Sequence, residues 1–229
     1  MPEAESSRVA IVPGATGLVG RNLVRVLLEG DAYARVVALA RRETPTLGPR
    51  HEPTLVDYDR LEEAHLPMEG ADVFCALGTT IRDAGSREAF RRVDFTYVVR
   101  LAAVAASHGA RSFSLVSAVS ADPKSRVFYS RIKGEAERAV AASGVPIVHL
   151  FRPSLLLGER DAIRMGESVA AALLRPLTPV LRGPLANLRP IFGETVARAM
   201  VAAALTDDVP GVRVYDPASM RRLAASTTV

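Results

Sequence analysis

Tyr129 and Lys133 stand four residues apart in F-Y-S-R-I-K-G-E, where a stretch of helical periodicity begins. Residues i and i+4 share one face of a helix. A lysine ammonium in that place can stabilise a tyrosinate and make the phenol a usable proton donor. Ser117 ends the apolar run 113–116 and can offer a second hydrogen bond to a substrate oxygen. Beside a hydride carrier, these three groups suffice to reduce a carbonyl. Y-x-x-x-K spacing alone also occurs as surface decoration, so its weight depends on the elements around it.

Those elements start with the run 9–12, a β-branched apolar segment that reads as a buried strand. Gly14, Gly17 and Gly20 follow, and then a stretch with Leu23, Val26 and Leu27 on one face. Strand, glycine turn and helix form the first half of a dinucleotide-binding βαβ unit. Gly14 permits the tight turn, Gly17 lets backbone N–H groups approach a pyrophosphate, and Gly20 lets the helix pack close. The phosphates then meet the positive end of the helix dipole. G-x-x-G-x-x-G differs from the commoner G-x-G-x-x-G, and a glycine turn can also be only a turn.

The second strand, 35–39, ends in Ala40-Arg41-Arg42. An acidic residue there would bind the ribose hydroxyls of NAD. Two arginines suit a 2′-phosphate and favour NADP, or else form a solvated basic turn. A short strand at 54–56 runs into Asp57, which either accepts the adenine amine or caps a following helix. Gly78-Thr79-Thr80 follows the strand 73–77 at a sheet end where open α/β sheets collect ligands.

Further along, 86–108 reads as a long helix with Phe90, Val93, Tyr97, Leu101 and Val104 in its buried stripe. Strands are expected at 113–116, 145–151 and 212–215, and helices at 127–142, 162–174, 193–205 and 218–225. The fold class is therefore α/β, a doubly wound parallel sheet. Residues 1–7 read as a flexible tail, 8–152 as the nucleotide-binding core, and 153–229 as a small substrate lobe with closing elements, packed as one domain.

The bulk numbers set bounds. The 229 residues are 48% hydrophobic and 24% charged, with a net charge of +4 spread without a dense basic tract. This composition suits a soluble globular domain, and nucleic acid is not an expected partner. Cys75 stands alone, so neither a disulfide nor a metal site is expected, and His51, His65, His108 and His149 are isolated. His149 reads as a hydrogen-bonded core residue. With no apolar span and a short polar start, the expected placement is cytoplasmic, without membrane contact, as monomer or homodimer.

The chain resembles short-chain dehydrogenases/reductases of the extended or atypical kind, and more narrowly their Tat-interacting-protein-like branch. The stretches that carry the resemblance are G-A-T-G-L-V-G-R from Gly14, A-R-R from Ala40, and C-A-L-G-T-T from Cys75. They continue with R-V-D-F-T-Y-V from Arg92, S-L-V-S from Ser114, F-Y-S-R-I-K-G-E from Phe128 and F-R-P-S-L-L-L-G from Phe151. The resemblance implies NADP held by Gly14, Thr16, Gly17, Leu18, Val19, Gly20, Arg41, Arg42, Asp57, Leu77, Gly78 and Thr79. It places Ser117, Tyr129 and Lys133 on the catalytic positions, the last two also touching the cofactor. Arg152, Pro153 and Ser154 fall near the nicotinamide. One departure stands out: Asp94 occupies the place of the usual proton-relay asparagine, and an ionised carboxylate accepts but does not donate.

The expected activity is NADP(H)-dependent oxidation or reduction of a small carbonyl or hydroxyl compound. A regulator or assembly factor that binds NADP(H) without turnover fits the same motifs, since fold does not decide function. A nucleotide-sugar epimerase or dehydratase is disfavoured by the small C-terminal lobe. Arg160, Arg164, Arg175, Arg182 and Arg189 suit an anionic or acyl-CoA-like substrate or a solvated surface.

Overall fold

The computed structural model describes residues 8–158 and 189–226. The helix expected at 162–174, Arg160, Arg164, Arg175, Arg182 and the chain ends 1–7 and 227–229 lie outside them. In chain order the first half runs β1 (Val9–Pro13), α1 (Leu18–Glu29), β2 (Arg35–Ala40), β3 (His51–Leu55), a 3₁₀ turn (Tyr58–Glu63) and β4 (Asp72–Cys75). Next come α2 (Ile81–Ala84), α3 (Arg87–Arg91), a π turn (Arg92–Thr96), α4 (Tyr97–Ser107), β5 (Ser112–Val116), α5 (Phe128–Ala141) and β6 (Ile147–Phe151). The chain closes with β7 (Leu156–Leu157), β8 (Ile191–Phe192), α6 (Gly193–Thr206), β9 (Gly211–Tyr215) and α7 (Pro217–Ser226).

Among the described residues, seven strands form one sheet in the order β3-β2-β1-β4-β5-β6-β9, every pairing parallel. The order reverses between β1 and β4. Strand C-termini at such a reversal leave a crevice, and the candidate residues gather there.

Alternating side chains divide the sheet into two cores. Ile11, Val37, Val73, Phe113 and Val148 face α4 and α5, meeting Val98, Leu101 and Val140. Val12, Phe74 and Phe151 point the other way, onto Leu23 and Leu27 of α1 and Val196 and Met200 of α6. Each fully buried Leu, Ile or Phe contributes roughly 1.5–3 kcal/mol of transfer free energy, so both layers hold the crevice rigidly.

Two expectations are revised. β3 begins at His51 rather than 54 and runs through Pro53, which pairs in register with Ala38. It can do so because β3 is an edge strand, where a missing N–H is tolerated. The single helix expected at 86–108 is interrupted by the π turn, which shifts the buried stripe. Asp94 becomes buried between Phe90 and Tyr97, while Val93 is only partly buried. Beyond 152 the described residues pack onto the core. β9 extends the sheet beside β6, Tyr215 stacks on Phe151 with centroids 4.8 Å apart, and α6 completes the layer over α1.

Candidate functional site

The chain leaves β1 through Gly14 at φ +79°, where a Cβ would lie 2.6 Å from the Ala76 carbonyl oxygen. At Gly20 a Cβ would lie 2.1 Å from the Gly14 carbonyl oxygen. Gly20 thus lets α1 press against the turn itself, not against the strand. Gly17 is the N-cap of α1; it offers no side-chain cap, and the first turn holds no acidic residue. First-turn N–H groups lack intrahelical acceptors, and here the positive end of the dipole faces no competing carboxylate. Thr16 is exposed beside it, Leu18 is half-buried and Val19 buried. These features fit the pyrophosphate of a dinucleotide.

Arg41 and Arg42 are exposed just past the end of β2. Among the described residues neither has a carboxylate within ion-pairing distance, which suits a phosphate. Asp57 takes the capping alternative: its Oδ1 accepts from the Asp59 N–H at 2.9 Å, at the start of the 3₁₀ turn. After β4, Leu77 is buried, Gly78 exposed, and the Thr79 N–H donates to Asp94 Oδ2 at 2.9 Å.

The inner face of α5 carries the reactive groups. Lys133 is buried, with Nζ 2.7 Å from Oδ1 of Asp94. Burial opposes its charge, but Asp94 and then Tyr129 outweigh that cost and hold the ammonium above the ordinary lysine range. Tyr129 is half-buried against Phe90, ring centroids 5.7 Å apart. Ser117 follows β5, its N–H donating to the Phe151 carbonyl at 2.7 Å. Among the described residues its hydroxyl is buried without a hydrogen-bond partner, as are Asp94 Oδ1 and one nitrogen each of Arg8, Arg111 and Arg189. Burial pushes the Cys75 thiol up to about 12, so it stays neutral beside this cluster.

Other expected contacts are turned elsewhere. The Arg152 guanidinium forms a two-pronged pair with Glu137, Nε–Oε1 2.9 Å and Nη2–Oε2 2.6 Å, so it braces β6 to α5. The Pro153 carbonyl accepts from the Val119 N–H at 2.9 Å, and the Ser154 hydroxyl donates to the Arg189 carbonyl. These contacts tie residues 152–154 to α5, to the loop after β5 and to Arg189. Arg189 takes part through its backbone.

His149 is fully buried between Ser114 Oγ, 3.1 Å from Nδ1, and Asp207 Oδ2, 3.0 Å from Nε2. Asp94, expected at the place of the relay asparagine, is the counter-ion of Lys133, a role that sequence reasoning did not assign. Its signal was an acid four residues after Phe90 and three before Tyr97, inside an apolar stripe.

A family model described as NAD(P)H-binding matches residues 14–172. The mitochondrial protein FMP52 of Eremothecium gossypii is 35% identical over 219 residues, 93% of this chain and 96% of that one. Protein HTATIP2 of Rattus norvegicus is 32% identical over 198 residues, 80% and 81% of the two chains. Among solved structures, MoeE5 in complex with UDP-glucose and NAD superposes with a TM-score of 0.63 at 18% identity, covering 97% of this chain and 82% of that one. The FMP52 relatives are named mitochondrial, which overturns the expected cytoplasmic placement. The glycine turn, the parallel sheet and these matches agree: the chain belongs to the NAD(P)H-binding short-chain dehydrogenases/reductases, in the atypical, Tat-interacting-protein-like branch.

Proposed function

We propose that this protein is an NADP(H)-dependent oxidoreductase acting on a small carbonyl or hydroxyl compound. The observation that carries the reading is Tyr129 on α5 within electrostatic reach of a buried, charged Lys133. When bound, NADPH supplies a hydride. The Tyr129 hydroxyl donates a proton to the substrate oxygen, and the Lys133 ammonium stabilises the tyrosinate left behind. The unpartnered Ser117 hydroxyl orients that oxygen. Gly14, Gly17 and the first turn of α1 hold the pyrophosphate, with Arg41 and Arg42 on the 2′-phosphate.

A second reading, an NADP(H)-binding regulator without turnover, draws support from the burial of Ser117 and the closed Lys133–Asp94 pair. One experiment separates them. Purified protein is screened for thermal stabilisation by NADPH, NADP and NADH, then for NADPH oxidation with a broad carbonyl library. Tyr129→Phe should lose a factor of about 10² to 10⁴ in rate, the range of a positioned acid, with NADPH affinity nearly unchanged. If no compound is reduced faster than by that variant, the oxidoreductase reading is abandoned.

A further inference from the structure

We propose that Asp94 is a positioning residue: held by the loop after β4, it serves as counter-ion to Lys133 and sets how strongly that ammonium acts on the Tyr129 phenol. The proposal rests on Tyr129 and Lys133 being the reacting pair. Its basis is geometric. The π turn Arg92–Thr96 carries Asp94 into the interior, where it is 1% exposed. One carboxylate oxygen meets Lys133 Nζ at 2.7 Å, and the other takes the Thr79 N–H at 2.9 Å. A π turn inside a helix commonly marks a functional position.

The electrostatic consequence has a definite sign. A lone ammonium beside a phenol favours the tyrosinate. A carboxylate on that ammonium makes the pair neutral overall, so the phenol meets a dipole in place of a full positive charge. Asp94 thereby weakens the pull of the ammonium on the phenol while holding the lysine charged. The charged and titratable groups facing Lys133 are Asp94 from the π turn, Tyr129 from its own helix and Cys75 from β4. Phe90 adds only an apolar ring against Tyr129.

The test needs no substrate. The chain holds five tyrosines. In an alkaline titration of the full chain followed by tyrosinate absorption, the step missing from Tyr129→Phe reports that phenol. Asp94→Asn keeps an acceptor for the Thr79 N–H and removes the charge. It should raise the ionisation constant of that step about tenfold, and Asp94→Glu should restore the parent value. An unmoved step in Asp94→Asn overturns the proposal. Should Asp94→Asn fail to fold with its buried lysine unpaired, Lys133→Met is compared with Lys133→Met/Asp94→Asn. With the ammonium gone, loss of the acid should no longer move the step, and a remaining shift refutes action through the lysine. NADPH binding by the parent is measured separately. Its absence defeats the oxidoreductase reading and leaves the titration to judge Asp94.

Discussion

Replacing both Arg41 and Arg42 by alanine should erase a preference for NADPH over NADH. The two guanidiniums are exposed and unpaired among the described residues, so each can turn toward a phosphate at about 4 Å. At that distance in water a pair of unit charges is worth about 1 kcal/mol. A 2′-phosphate carries about −1.5 to −2 charges at neutral pH, which sets a gross attraction of roughly 3–4 kcal/mol for two arginines. Ordering two long side chains removes about 0.5–1.5 kcal/mol each. A net preference of roughly 0–3 kcal/mol remains, centred near 1.5, about tenfold in affinity. Each single variant should keep part of it, and the double variant should bind both cofactors within about a factor of two. Titration calorimetry at low and high salt reads the effect, and the preference should shrink as salt rises because both groups are in solvent. Equal affinities in the parent, or a preference that survives the double substitution, would refute the reasoning.

Three further outcomes follow from the same geometry. Gly17→Val places a branched side chain at the uncapped start of α1, where a Cβ already comes within 3.3 Å of the Gly14 carbonyl. NADPH binding by thermal shift should disappear while circular dichroism stays that of a folded chain; retained binding would put the phosphates elsewhere. Arg152→Ala strands the buried carboxylate of Glu137, which breaking a buried pair makes costly by about 3–5 kcal/mol; with Arg152 partly in solvent, about 2 kcal/mol is expected in urea unfolding, and Arg152→Ala/Glu137→Gln should recover part of it. Burial holds the His149 pKa below its ordinary value, despite the opposing pull of Asp207. As pH falls below about 6.5 the unfolded chain takes up a proton that the folded chain does not. The melting temperature should therefore fall from pH 7.5 to 5.5, less steeply in His149→Gln; equal slopes would show that His149 is not responsible.

Local patterns made the sheet and the cofactor end of the site legible. The β-branched run of β1, three glycines and an amphipathic helix are all contained within thirty residues, so their geometry depends on neighbours in sequence. Tyr129 and Lys133 were legible for the same reason, since helical spacing alone sets their common face. Asp94 was not. A π turn inserts one residue without altering composition, and 3.6-residue periodicity cannot register it. Its partner Lys133 stands 39 positions later, and nothing local couples the two. Arg152 misled in a related way: the motif places it at the site's edge, but a buried Glu137 on another element claims its guanidinium. The early start of β3, through Pro53, was not legible because edge position is a property of the sheet, visible only once β2 and β3 are paired.

What separates working groups from bracing groups here is whether the fold has already satisfied them. Arg152, His149 and Asp57 each have protein partners, at Glu137 of α5, Asp207 at the end of α6 and the start of the 3₁₀ turn. The Ser117 hydroxyl, the uncapped first turn of α1 and the unpaired Arg41 and Arg42 have none, and they lie along the C-terminal ends of β1, β2 and β5. A folded chain rarely leaves buried polar groups open without a ligand to close them. Asp94 stands between the two classes: one carboxylate oxygen takes the Thr79 N–H, while the other is ion-paired with Lys133 but makes no hydrogen bond. One carboxylate thus ties the loop after β4 to the inner face of α5, where the lysine stands.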